Sequence, residues 1–142
     1  MNEPRYDLQA ERVLNVSQEA AFDAYTSPAL WSALGADSVC DLRVGGDWTI
    51  VGGAPHQPYR EENHFIDIDR PRHIAFTSTL FLPGDTRHNR NVDATFVSDG
   101  AEGTKMTIVQ KGFPNPQSRD ALAPAFPHIF DALERTVQAS HT

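Results

Sequence analysis

The stretch Cys40–Gly53, CDLRVGGDWTIVGG, holds two glycine pairs, one of them set just before an Asp-Trp step. Glycine pairs can cradle a phosphate, turn a hairpin, or let a ligand approach the backbone. Neither pair here has the Walker pattern with its lysine, and Gly45-Gly46 does not precede a helical pattern, which argues against a phosphate loop. Alternation points to a hairpin instead. Cys40, Leu42 and Val44 share one face of the incoming strand, and Trp48 and Ile50 are the apolar pair after the turn. A two-residue Gly-Gly loop would throw Trp48 onto the opposite face. A three-residue loop from Gly45 to Asp47 pairs Val44 with Trp48 and Leu42 with Ile50, and it needs a residue at positive φ. The expectation is an odd-length turn that holds Trp48 inward.

Outward from this hairpin, short alternating runs are separated by glycine, proline and asparagine. They predict an antiparallel meander with strands near 38–44, 48–53, 60–68, 72–82, 91–98 and 104–112. Upstream, LQAERVLNVS reads as a first strand with Leu14 and Val16 on one face. Ser17 is a good N-cap for a short helix that packs Ala21, Phe22 and Tyr25, and Pro28 opens a second, PALWSAL, ending near Gly35. Downstream, Leu122, Phe126, Ile129, Phe130, Leu133 and Val137 fall at intervals of three and four, the apolar stripe of a long C-terminal helix. Asn115-Pro116 marks its start. Pro124 and Pro127 predict a kink, or a short helix followed by a longer one starting near Pro124 to Pro127. The order is that of an α+β fold: a curved antiparallel sheet of about seven strands around the last helix, with a cleft between them. Residues 1–142 are read as a single domain.

Charge and cysteine content narrow the partners. Nineteen acidic against twelve basic residues give a net charge of −7, which disfavours a phosphate-backbone grip on nucleic acid and adhesion to anionic membranes. A lone cysteine, Cys40, excludes an internal disulfide framework and reads as a small core residue. The opening MNEPRYDLQAER has no apolar core of a secretory signal and no run is long enough to span a membrane, so a cytoplasmic location is expected.

Chemistry is sought among polar residues that share parity with the apolar face of each strand. Ile66 and Ile68, Ile74, Phe76, Leu80 and Leu82, Val92, Ala94 and Phe96, and Met106 and Ile108 set that face. Arg12, Glu62, His64, Ser78 and Gln110 share it. Arg12, Glu62 and Ser78 can reach the rim, whereas His64 and Gln110 lie deeper and are candidates for a pocket. Trp31, Trp48, Phe76, Phe126 and Phe130 are the expected apolar walls. Glu62 and His64, two apart on one face, permit a carboxylate-oriented general base; the adjacent Glu61 should point the other way. Arg87, His88 and Arg90 are read as part of a solvated loop between strands, with a cavity lip or a contact for an acidic partner as the alternatives. The six histidines show no metal spacing and no serine sits in a GxSxG elbow, so no metal, cofactor or catalytic set is assigned.

Four stretches carry a resemblance. AFDAYTSPALW, LRVGGDWTI, HFIDIDRPRHIAFTS and EGTKMTIVQKGF are similar, in order and spacing, to segments of the activator of heat-shock-protein-ninety ATPase homologue family. That resemblance implies the START-like, pollen-allergen-like helix-grip fold, in which a curved sheet wraps a C-terminal helix over a cavity. Where the family often has a Gly-Trp pair early in the last helix, this chain has AFPHIF, with Phe126 in the aromatic's place and Pro127 beside it. Three functions follow as expectations. The first is binding of a small, largely apolar molecule in the cleft. The second is an enzyme on the same fold, a cyclase, dehydratase or hydrolase using His64. The third is an interaction module acting on a chaperone ATPase, the partner that the family name implies.

Overall fold

The structure is a computed structural model that describes residues 6–54, 57–84, 86–100 and 103–140. Seven strands form one antiparallel sheet in the order β1-β7-β6-β5-β4-β3-β2. They are β1 (Tyr6–Leu14), β2 (Asp37–Cys40), β3 (Asp47–Ala54), β4 (Gln57–Asp69), β5 (His73–Leu82), β6 (Thr86–Asp99) and β7 (Gly103–Phe113). All neighbours but β1 and β7 follow one another in sequence, and β1 closes the far edge by pairing with β7 through Ala10 and Ile108. Among the described residues no helix is long and apolar enough to cross a membrane.

The first three helices begin where a capping side chain satisfies an orphan backbone donor. Ser17 accepts from the Ala20 amide to start α1 (Gln18–Tyr25), and Ser27 accepts from the Leu30 amide to start α2 (Pro28–Ala33). Asn115 accepts from the Ser118 amide at 2.8 Å ahead of α3 (Pro116–Leu122). The chain then breaks at Ala123-Pro124, and α4 (Ala125–Ser140) carries Pro127 in its first turn, where a missing N–H costs no hydrogen bond. This is the short-then-long arrangement expected from the two prolines.

The helices cover one face of the sheet. Leu14, Phe22, Leu30, Phe65, Phe96, Met106 and Leu133 are buried between the two layers. Burial of each such side chain contributes roughly 1.5–3 kcal/mol. One end of the layer is clamped. Arg12 on β1 donates to Asp131 at 2.6 Å and to Glu134 at 3.4 Å, both on α4, and its guanidinium lies 5.3 Å from the Phe130 ring centroid. Ion pairing holds Asp131 below the usual carboxylate range, with the hydrogen bond from Arg12 as the main cause. The sheet–helix arrangement is the helix-grip fold implied by the resemblance.

Three local expectations are corrected. The β2–β3 connection is not a three-residue loop. Cys40 pairs with Trp48 and Ser38 with Ile50, so residues 41–46 form the connection, and Leu42 and Val44 are exposed rather than paired inward. Gly45, at φ 85, and Gly46 turn the chain so that both reach across to β4: the Gly45 amide donates to Phe65 O and the Phe65 amide donates to Gly46 O, each at 3.0 Å. Trp48 and Ile50 still face inward.

Second, the inward parity of β4 was misplaced by one residue. The β4–β5 pairing slips between Phe65 and Asp67, leaving Ile66 as a bulge that is 53% exposed. Before the bulge the inward residues are therefore Glu61, Asn63 and Phe65, while Glu62 and His64 face out. Third, β6 begins at Thr86, with Leu82 paired to Thr86, so Arg87, His88 and Arg90 belong to a strand and Arg90 is buried.

Candidate functional site

A cavity of about 680 Å³ opens between the sheet and the helices, beyond the end that Arg12 clamps. Its size falls within the ~300–1,000 Å³ range of small-molecule sites. Trp48 and Ile50 from β3, Phe76, Leu80 and Leu82 from β5 and Ile108 from β7 form the sheet side. Tyr25 and Trp31 come from the first helices, and Leu122, Ala125, Phe126 and Ile129 from the α3–α4 segment form the roof. The helix break at Ala123-Pro124 lies within this roof.

Trp48 is the hub of the aromatic wall. It stacks on Phe65 at 5.9 Å with 8° between planes, and it meets Trp31, Tyr25 and Phe76 edge-on at 5.3–5.6 Å between centroids. Offset and edge-on pairs of this kind add ~0.5–1.5 kcal/mol each beyond area burial. The wall is therefore rigid, which suits a preformed site.

Glu61 on β4, Arg90 on β6 and Gln110 on β7 reach into this apolar chamber, and Ser78 on β5, behind the lining, completes a polar row across four adjacent strands. Arg90 donates from Nη2 to Ser78 Oγ at 2.8 Å and from Nη1 to Gln110 Oε1, and its Nη2 lies 3.2 Å from Glu61 Oε1. Ser78 in turn donates to Glu61 Oε1 at 3.1 Å. The Arg90 side chain is 2% exposed and that of Glu61 19%. A lone buried charge would be prohibitive, but here the guanidinium and the carboxylate compensate each other. Arg90 Nε is buried without a partner among the described residues, so the donor fork is not fully used there. Tyr25 and Tyr59 bring phenols to the same lining. Burial, reinforced by the Glu61 charge, holds the Tyr25 phenol well above its ordinary pKa, so it stays a neutral donor. Tyr59 is raised by the same two causes.

Of the residues singled out from sequence, Trp31, Trp48, Phe76, Gln110 and Phe126 come together in this lining. Phe130 is buried one turn further along α4, under Arg12 at the clamped end, and does not reach the cavity. His64 is on the other face of the sheet. Its Nδ1 lies 2.9 Å from Asp47 Oδ1, and its side chain is 54% exposed. Glu62 pairs with Arg60 at 3.3 Å on that outer face, so the carboxylate–imidazole base in a cleft is not formed. Sequence reasoning reached Arg90 only as part of a loop, with a cavity lip as one alternative, and missed Glu61, Tyr59 and Tyr25. The usable signal for Glu61 was the alternation Glu61, Asn63, Phe65, which only a bulge reconciles with Ile68.

Burial pushes the Cys40 thiol up to about 11, which leaves it protonated and unreactive near neutral pH. Among the described residues no group of three or more histidine, cysteine or acidic side chains could hold a metal ion. A more open depression of about 760 Å³ is lined by Thr77, Thr79, Arg87, Asn89, Asn91 and Lys111, among others. It lacks the aromatic wall, so the chamber beneath α3–α4 is the better candidate for a ligand site.

Solved structures share this architecture. A putative uncharacterized protein from Rhizobium leguminosarum is 22% identical with a TM-score of 0.80, covering 96% of this chain and 96% of its own. Protein CV1439 from Chromobacterium violaceum is 18% identical with a TM-score of 0.77, covering 92% and 96%. An HSP90 activator from Plasmodium falciparum is 20% identical with a TM-score of 0.61, covering 76% and 74%. At these identities the likeness is one of fold. A search of curated proteins found no match. Residues 15–138 match the family described as Activator of Hsp90 ATPase homolog 1-like protein, and the chain belongs to that family.

Proposed function

We propose that the protein binds a small, largely apolar molecule in the chamber between the sheet and α3–α4. The observation that carries this reading is an aromatic-walled cavity of about 680 Å³ whose floor holds a buried, hydrogen-bonded polar row. Such a mixture, mostly apolar with a few fixed polar groups, is the usual composition of a ligand site. The enzyme alternative loses its base, because His64 faces outward. Action on a chaperone ATPase has the family name in its favour, and the Plasmodium neighbour is described as an HSP90 activator.

The chain has two tryptophans, and both Trp31 and Trp48 line the cavity. Intrinsic fluorescence therefore reads occupancy directly. A matching ligand should quench it saturably and raise the melting temperature, by the equivalent of ~2.7 kcal/mol at a hundredfold excess over Kd. A panel of lipid-like and aromatic compounds that changes neither quantity would remove the reading, and stimulation of a chaperone ATPase by the empty protein would then favour the interaction module.

A further inference from the structure

The charge state of the cavity floor specifies more than apolarity. Among the described residues Arg90 is the cation that reaches the chamber and Glu61 is the anion, and they sit 3.2 Å apart with Ser78 bridging them. The floor is thus electrically balanced before any ligand arrives. A carboxylate or phosphate head would have to share Arg90 with Glu61, at close range and in a low-dielectric setting where like charges repel strongly. An ammonium head would meet the same conflict with Arg90. Long-range attraction does not rescue an anion either, since the net charge of the chain is −7. A neutral oxygen function avoids both penalties. The floor offers it donors and acceptors together: the Tyr25 and Tyr59 phenols, the Gln110 amide, the Glu61 carboxylate and the Arg90 fork.

We infer that the ligand is an uncharged, predominantly apolar molecule whose hydroxyl or carbonyl oxygen rests on the Glu61–Arg90–Gln110 floor, rather than a fatty-acid-like anion or a cationic amphiphile. This rests on the cavity-binding reading above. The Glu61–Arg90 pair acts as the charge filter. Removing only the negative member should convert the floor into an anion site, because Arg90 would then lack its counter-charge.

The test holds the apolar body constant and varies only the head. Para-hydroxymethylbiphenyl, para-biphenylcarboxylate and para-aminomethylbiphenyl are neutral, anionic and cationic near pH 7. Each is titrated calorimetrically into the intact chain, with tryptophan quenching as a second readout. The expected result is that the alcohol binds about tenfold or more tightly than either ion. In Glu61→Gln, which keeps the side-chain shape and an oxygen for Ser78, the carboxylate should overtake the alcohol. Preference of the wild type for either ion overturns the inference while leaving cavity binding intact. An unchanged order in a folded Glu61→Gln variant overturns the charge-filter role of the pair. If none of the three binds, the cavity reading itself fails, and this inference with it. The wild-type series decides the main point even if Glu61→Gln does not fold.

Discussion

His73 illustrates how much a single side chain can do on the outer face of this sheet. Its Nδ1 lies 2.8 Å from Asp67 and its Nε2 2.7 Å from Asp93, so both ring nitrogens face carboxylates. A neutral imidazole can donate to only one of them, and the doubly protonated ring serves both. Partial burial alone would lower the pKa, but the hydrogen bonds to Asp93 and Asp67 and their charges outweigh it and hold the pKa above its ordinary value. A raised folded pKa stabilises below the unfolded value of ~6.5, and that contribution is lost as pH rises through the folded value. The melting-temperature gap between the wild type and His73→Gln should therefore be widest near pH 6 and narrow as the solution becomes alkaline. A gap that stays constant or widens over that range would contradict the assignment. The same scale explains what was hardest to foresee. Arg90 reads as a loop residue because PGD breaks strands, yet Thr86 already pairs with Leu82 at the start of β6, and Arg90 is buried.

At the scale of elements, alternation and helical spacing were legible and register was not. The meander, the capped short helices and the proline-split C-terminal segment all follow from local patterns. One bulge at Ile66 undid the parity of the half-strand before it, since Ile66 and Ile68 both look like core residues and the sequence carries no mark of the extra one. That single slip exchanged His64 for Asn63 and Glu62 for Glu61 on the inner face. The glycine pair of the β2–β3 connection has its own constraint. A Cβ on Gly46 would overlap the Asp41 carbonyl oxygen and press on that of Arg43, both backbone atoms that cannot swing aside. Gly46→Ala should accordingly lower stability by ~1–3 kcal/mol, measured by chemical denaturation. It should also accelerate amide exchange at Phe65, whose N–H donates to Gly46 O. Wild-type stability in that variant would mean that the connection can relax around the extra methyl.

Across the whole molecule, the two ends of the helical layer play different parts. One end is tied by Arg12 to Asp131 and Glu134, with Phe130 packed beneath. The other is roofed by α3 and the first turns of α4, where Leu122 and Ile129 are only half-buried over the cavity. In the binding reading, Leu122→Ala should weaken an apolar ligand about tenfold, the effect of losing ~1.4 kcal/mol of contact. It should leave the melting temperature of the free protein nearly unchanged. A large loss of stability with unaltered affinity would place Leu122 in the core instead. The row Glu61, Ser78, Arg90 and Gln110 runs diagonally across four neighbouring strands, with Ser78 and Arg90 directly opposite and Glu61 and Gln110 each two residues off that level, and laces their side chains together. It acts as a hoop: the spacing of the strands along that diagonal is held twice, by the backbone ladder and by the side chains above it. The floor therefore has little room to spread, and a bulkier guest can be accommodated only by movement at the jointed roof. Size tolerance and head-group choice would then be written on separate parts of the chain, and relatives could diverge in one without disturbing the other.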